Sequence, residues 1–174
     1  MPIMQVSGFS DTGKTRLVEA LCACLPGPVL VVKFSHHGGA PDRTGSDSER
    51  FAAAGAETLL MQPGQATWRG QHPLPIDWVQ ALSWYPWIIW EGAKHSPTPK
   101  IVLDLGPLVS ILPSVRAVIG PSPPPISGIL WFEAALPLSV ETARQAACWI
   151  EQHQASLTFS AAQIPAATTP TASE

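Results

Sequence analysis

The chain is short of charge. Only 13% of its 174 residues are Asp, Glu, Lys or Arg, which is low for a soluble monomer and points to a face hidden in an oligomer or partner interface. The net charge of −3 argues against a broad nucleic-acid or membrane-binding surface. No apolar run reaches the length of a membrane span. The N-terminus lacks a basic region followed by an apolar stretch, so no signal peptide is expected and a cytoplasmic location is. Cysteine is scarce: Cys22, Cys24 and Cys148 form neither a C-x-x-C pair nor a zinc-ribbon spacing. Buried, reduced thiols are the expectation. No internal repeat is present. The length suggests one domain over residues 1–160. The small, polar, proline-bearing end, 161–174, reads as a disordered tail.

What is there begins with Gly8-Phe9-Ser10-Asp11-Thr12-Gly13-Lys14-Thr15. This fits G-x-x-x-x-G-K-[ST] at every fixed position. The apolar run Ile3 to Val6 precedes it as a strand. Leu17, Val18, Leu21, Cys22 and Leu25 follow at helical spacing. Strand, glycine loop and helix make the context in which the motif binds phosphate. Gly8 and Gly13 let the backbone turn close to a ligand, and the N–H groups of the loop and helix N-terminus face the phosphates. The expected nucleotide-binding residues are Gly8, Ser10, Asp11, Thr12, Gly13, Lys14, Thr15 and Arg16. Lys14 supplies charge to the β and γ phosphates and Thr15 a hydroxyl to a magnesium ion.

Pro26-Gly27-Pro28 stops the first helix. Val29 to Phe34, broken only by Lys33, reads as a central strand. Ser35 to Gly45 is a loop. Asp47 is expected to cap a short helix ending at Gly55. Thr58 to Met61 and Ala66 to Arg69 read as strands, Ile76 to Tyr85 as a helix broken by Pro86, and Trp87 to Trp90 as a buried strand ending on Glu91-Gly92. Strands at Lys100 to Leu103, Val115 to Ile119 and Ile129 to Phe132 follow, with a stiff proline-rich loop from Pro121 to Gly128. Ser139 caps a last helix with Val140, Ala143, Ala147 and Ile150 facing the core. Alternating strands and helices predict an α/β three-layer phosphate-loop NTPase fold with a mostly parallel sheet. Ligands in such sheets bind at the carboxyl ends of the strands.

Those ends carry the remaining candidates. Glu91 closes a strand where a carboxylate can hold magnesium, directly or through water, and Asp47 is the second choice. His36, His37 and Asp42, with Lys94 after Glu91, are candidates to line a second-ligand or partner site. Two histidines with carboxylates downstream also suit zinc or nickel. Trp78, Trp84, Trp87 and Trp90 are first of all core; an exposed subset would suggest a dimer interface. No Asn-Lys-x-Asp tetrapeptide exists, and Ala117-Val118-Ile119-Gly120-Pro121, where it would follow, offers no carboxylate. The residues themselves therefore leave the base unread.

Over most of residues 3 to 104 the chain resembles the MobB family, the B-type proteins of molybdopterin-guanine dinucleotide biosynthesis. The resemblance rests on Gly8 to Thr15, Val31-Val32-Lys33-Phe34-Ser35-His36-His37, Asp42, Gly45, Asp47-Ser48, Arg50, Ala54-Gly55-Ala56, Glu91-Gly92-Ala93-Lys94 and Pro99-Lys100-Ile101. It implies a homodimeric GTP-binding accessory protein, with GTP and Mg2+ as ligands and weak hydrolysis. Its implied partners are the A-type guanylyltransferase, which joins GMP to molybdopterin, and molybdopterin itself. The sequence departs from the family in two places. The usual acid early in the strand leading to Glu-Gly is absent from Tyr85-Pro86-Trp87, and Ala93 replaces an aromatic. Two other functions stay open: a small metabolite kinase with Asp42 or Asp47 as base, and a GTP-dependent metal chaperone using the His pair.

Overall fold

A computed structural model describes residues 2–35, 45–71, 84–104, 106 and 108–160. Among the described residues nine strands form one sheet: β1 (Pro2–Gly8), β2 (Val29–Phe34), β3 (Glu57–Gln62), β4 (Gln65–Arg69), β5 (Trp87–Glu91), β6 (Lys100–Leu103), β7 (Val115–Gly120), β8 (Leu130–Glu133) and β9 (Phe159–Ser160). The strand order is β4-β3-β2-β5-β1-β6-β7-β8. From β3 to β8 every neighbour is parallel. Only β4, hairpinned onto β3, and β9, paired to Pro2 and Ile3, run antiparallel. This is the α/β phosphate-loop NTPase fold that the alternation of strands and helices implies.

The side chains of the central strands split by parity, as period 2 requires. Met4, Val6, Val31, Ile89, Ile101 and Leu103 share one core with helices α1 (Lys14–Cys24), α2 (Asp47–Ala53) and α3 (Val140–Gln152). A four-residue helix α4 (Gln154–Leu157) follows α3 and buries Leu157. Ile3, Leu30, Val32, Leu59 and Ile88 form a second core on the other face, under Tyr85. A 3-10 turn, Leu108–Ser110, leads Leu112 onto Val102 on that same face. Burial on both faces explains why these strands read as continuous apolar runs.

Several local expectations need correcting. Ser46, not Asp47, caps α2: its hydroxyl accepts from Glu49 N, and Asp47 is the first helical residue. A serine one place earlier outcompetes the acid for the cap, and Asp47 instead adds negative charge to the first turn, where the helix dipole favours it. Ser139 caps α3 as expected, accepting from Thr142 N, but Val140 is 59% exposed and Ala146 is buried in its place. The cap fixes the helix phase and turns the first residue outward. Trp84 and Tyr85 are not helical; the rest of the expected helix, Ile76 to Ser83 with Trp78, lies outside the described residues. Trp87 is buried, Trp90 half-buried and Trp84 exposed. Cys22 is buried and its thiol pushed up to about 12 by burial, but Cys24 is half-buried and Cys148 exposed. The 161–174 tail is also outside the described residues.

Candidate functional site

The loop between β1 and α1 is shaped by its glycines. Gly13 is the N-cap of α1 with φ 97°, and a β-carbon there would lie 2.9 Å from the backbone nitrogen of Leu138. No other residue satisfies both the left-handed backbone and the contact. Gly8 passes Leu103 closely enough that an added β-carbon would stand 2.8 Å from its carbonyl oxygen. The loop closes on itself through Thr12 Oγ1, which donates to Phe9 O at 3.0 Å. It docks on the segment before α3, with Leu138 N donating to Thr12 O at 3.1 Å. The first N–H groups of α1 have no carbonyl in a preceding helical turn and point out of its N-terminus, beside the Lys14 ammonium.

The predicted loop residues divide by what their side chains do. Lys14 Nζ donates to Phe9 O, curling back over the loop. Burial lowers its pKa, against the raising charges of Glu91, Asp11 and Asp47. Asp11 is exposed with φ 60°, and Ser10 is exposed. Arg16 turns away from the loop mouth: its Nη1 donates to Leu138 O at 2.7 Å and fastens α1 to the segment before α3.

Thr15 faces α2. Its hydroxyl donates to Asp47 Oδ1 at 3.2 Å, while Asp47 Oδ2 accepts from Lys33 Nζ. The start of α2 is held there by Arg50, whose fork binds Glu19 on α1 at 2.7 and 2.8 Å and whose Nη1 lies 3.9 Å from Asp47 Oδ1. Burial raises the Asp47 pKa, but the Lys33 hydrogen bond and charge, with the Thr15 hydroxyl, outweigh it and leave the carboxyl below its ordinary value.

Glu91 completes the group. It is the last residue of β5, next to β1 in the sheet, and is only 7% exposed. Lys33 and Glu91 are register partners across β2 and β5, and both follow the parity of Val31 and Ile89 onto the face of α1 and α2. Lys33 Nζ lies 3.5 Å from Glu91 Oε2, an ion-pair distance, yet that oxygen has no hydrogen bond among the described residues. Burial raises the Glu91 pKa, Lys33 lowers it, and the neighbouring Asp47 raises it again. Thr15, Asp47 and Glu91 thus converge as three oxygen-bearing side chains beside Lys14. A buried carboxylate oxygen without a hydrogen bond is a fit for a hard divalent cation, which takes oxygen ligands and keeps several waters.

Lys33 is the member of this charged group that the sequence reading did not name as a site residue. Its signal was present: a single ammonium near the carboxyl end of an otherwise apolar strand. Among the other candidates, Lys94 is exposed on the loop after β5. That loop is pinned through Gln5, which donates to Gly92 O and accepts from Ser96 Oγ at 2.8 Å, and through buried Lys100, which donates to Ser96 O and Thr98 O. His36, His37 and Asp42 lie outside the described residues. Asp104, buried at the end of β6, receives Gly106 N at 2.8 Å and Val109 N at 2.9 Å and shapes the following turn.

A family model described as molybdopterin guanine dinucleotide synthesis protein B matches residues 3–109. The molybdopterin-guanine dinucleotide biosynthesis adapter protein of Haemophilus influenzae is 29% identical over 125 residues, covering 66% of this chain and 70% of that protein. The probable adapter protein of the same name from Bacillus subtilis is 36% identical over 112 residues, 59% of this chain and 64% of that protein. The chain thus spans about two thirds of the length of these curated relatives. Among solved structures, the crystal structure of a MobB protein homolog from Bacillus stearothermophilus aligns with a TM-score of 0.48 at 22% identity, over 88% of this chain and 97% of that one. The matched region holds the Gly8 to Thr15 loop, Lys33, Asp47 and Glu91 together, and the chain belongs to the MobB family, that of molybdopterin guanine dinucleotide synthesis protein B.

Proposed function

We propose that this chain binds GTP with Mg2+ at the Gly8 to Thr15 loop and acts as an adapter in molybdopterin-guanine dinucleotide biosynthesis, with weak GTP hydrolysis at most. The observation that carries the reading is the convergence of Thr15, Asp47 and Glu91 beside Lys14. Lys14 and the loop N–H groups bind the phosphates. Thr15, Asp47 and Glu91 hold the magnesium directly or through water. When bound, magnesium neutralises charge on the β and γ phosphates and orients them.

The way Asp47 is used supports weak hydrolysis. Asp47 spends one oxygen on Thr15 and the other on Lys33, so it is not a base poised for water. The same commitment argues against Asp47 as the base of the kinase reading, which needs a carboxylate free to take a proton from an acceptor hydroxyl; Asp42, the other base of that reading, lies outside the described residues. The adapter role draws on the printed names of the relatives. The guanylyltransferase partner, molybdopterin and the homodimer belong to the same proposal, and exposed Phe9, Trp84 and Ile111 supply apolar surface for contacts. Calorimetric titration with GTP, ATP, GDP and ADP, with and without magnesium, tests it. Guanine nucleotides should bind more tightly, and magnesium should strengthen the triphosphate. Equal affinity for adenine nucleotides would remove GTP from the proposal, and no binding of any would remove the phosphate site. Light scattering at micromolar concentration should give twice the chain mass.

A further inference from the structure

Around Lys33 two lysines balance two acids, and beyond Asp47 the Arg50 guanidinium is balanced by Glu19. Lys33 enters from β2, Lys14 and Thr15 from the N-terminus of α1, Asp47 from α2 and Glu91 from β5. Two ammoniums meet two carboxylates in a half-buried cluster, where unscreened charge is costly. Lys33 touches both acids, contacting Asp47 Oδ2 and lying 3.5 Å from Glu91 Oε2. These are the two acids that, with Thr15, would meet a divalent cation. A bare divalent ion entering this set would leave net positive charge beside two lysines. An ion arriving with nucleotide phosphates brings its own negative charge.

We propose that Lys33 is the resident counter-cation of the Asp47–Glu91 pair, so that a divalent cation enters this site only together with nucleotide phosphates. The inference rests on the nucleotide reading above. It adds a rule of order: Lys33 gives way to the metal–nucleotide complex and the metal alone is refused. Lys33 acts through the two acids and is a positioning residue. A purely structural lysine would hold β2 to α2 and leave metal affinity untouched.

The test uses Mn2+ alone, without nucleotide, followed by its electron spin resonance signal. The parent should bind Mn2+ weakly, at about millimolar level. Lys33→Met should bind it roughly tenfold more tightly or better, because a positive charge about one contact from both acids is gone. Adding Asp47→Asn to Lys33→Met should abolish the gain. Circular dichroism melts establish that each variant is folded, and Lys33→Gln serves the same purpose if the methionine variant is not. A folded neutral variant with parental Mn2+ affinity overturns the proposal. So does tight Mn2+ binding, below about 100 μM, by the parent itself, a measurement that needs no variant and is about 5.5 kcal/mol of affinity. The nucleotide reading fails separately: a parent that binds no nucleotide, with the Mn2+ gain intact in Lys33→Met, would sink that reading and leave the charge balance standing.

Discussion

Two glutamates are buried to nearly the same degree at opposite ends of the parallel sheet, Glu57 at 8% exposure and Glu91 at 7%. Glu57 opens β3. Its Oε1 accepts from Gln71 N at 3.1 Å and its Oε2 from the Tyr85 hydroxyl, which burial and then Glu57 hold above the ordinary tyrosine range. Glu91 closes β5 and has an ion pair with Lys33 but an oxygen without a hydrogen bond among the described residues. Buried polar atoms in folded proteins are nearly always satisfied. The satisfied acid joins β3, the chain after β4 and the chain before β5, and its role is structural. The unsatisfied one lies at the strand end where ligands bind in such sheets, beside the Gly8 to Thr15 loop. Burial alone does not distinguish the two; the completeness of the hydrogen bonding does.

Mutations that separate stability from binding sharpen this contrast. The largest effect on stability should come from Glu57→Ala, which strands the Tyr85 hydroxyl and the Gln71 N–H. A loss of about 3 kcal/mol in urea unfolding is expected, with nucleotide affinity unchanged in the folded fraction. A loss below about 0.5 kcal/mol would break the distinction from one side. Lys14→Ala should act in the opposite manner. It removes a charge-assisted contact, so nucleotide affinity should fall about tenfold or more while the unfolding midpoint stays near that of the parent. Equal affinity in Lys14→Ala and parent would remove the phosphate site altogether.

A smaller effect tests the loop that follows Glu91. Burial holds the Lys100 ammonium down at about 8, below its ordinary 10.5. Between those values the unfolded chain binds the extra proton, so this residue makes stability rise with pH across that window. Below pH 8 the full cost of a buried charge is present in the folded state. Cys22, held up to about 12 from an ordinary 9, works against it above pH 9, so the difference between the parent and Lys100→Met is the quantity to read. The parent's melting temperature should gain on that of the variant from pH 8 to 9.5. A constant difference would show that Lys100 stays charged on its two carbonyls, Ser96 O and Thr98 O.

The glycine loop, the first helix and the parallel strands were legible in the sequence because each depends on local spacing. The site's inner arrangement was less so. Lys33 reads as an interruption of an apolar strand until β2 is seen beside β5, and that adjacency is set by a crossover that no local pattern announces. The Glu57–Tyr85 pair joins residues far apart in sequence for the same reason. Asp47 was picked as a metal candidate from its position. Its contact with Thr15 depends on α2 being one residue out of the expected phase, with Ser46 as the cap. Strand β9 is two residues long and rests on its pairing with β1 rather than on any pattern of its own.

In the proposed function Thr15, Asp47 and Glu91 form the magnesium-facing side of a nucleotide site. The most direct test is GTP titration of the parent and Glu91→Gln, each with and without magnesium. The substitution keeps size and removes charge, and Lys33 retains Asp47. Magnesium should strengthen GTP binding by the parent, Glu91→Gln should lose about tenfold of that gain, and its magnesium-free affinity should stay close to that of the parent. A full magnesium gain in Glu91→Gln, with the gain lost in Asp47→Asn, would contradict it and leave Glu91 as a second structural glutamate.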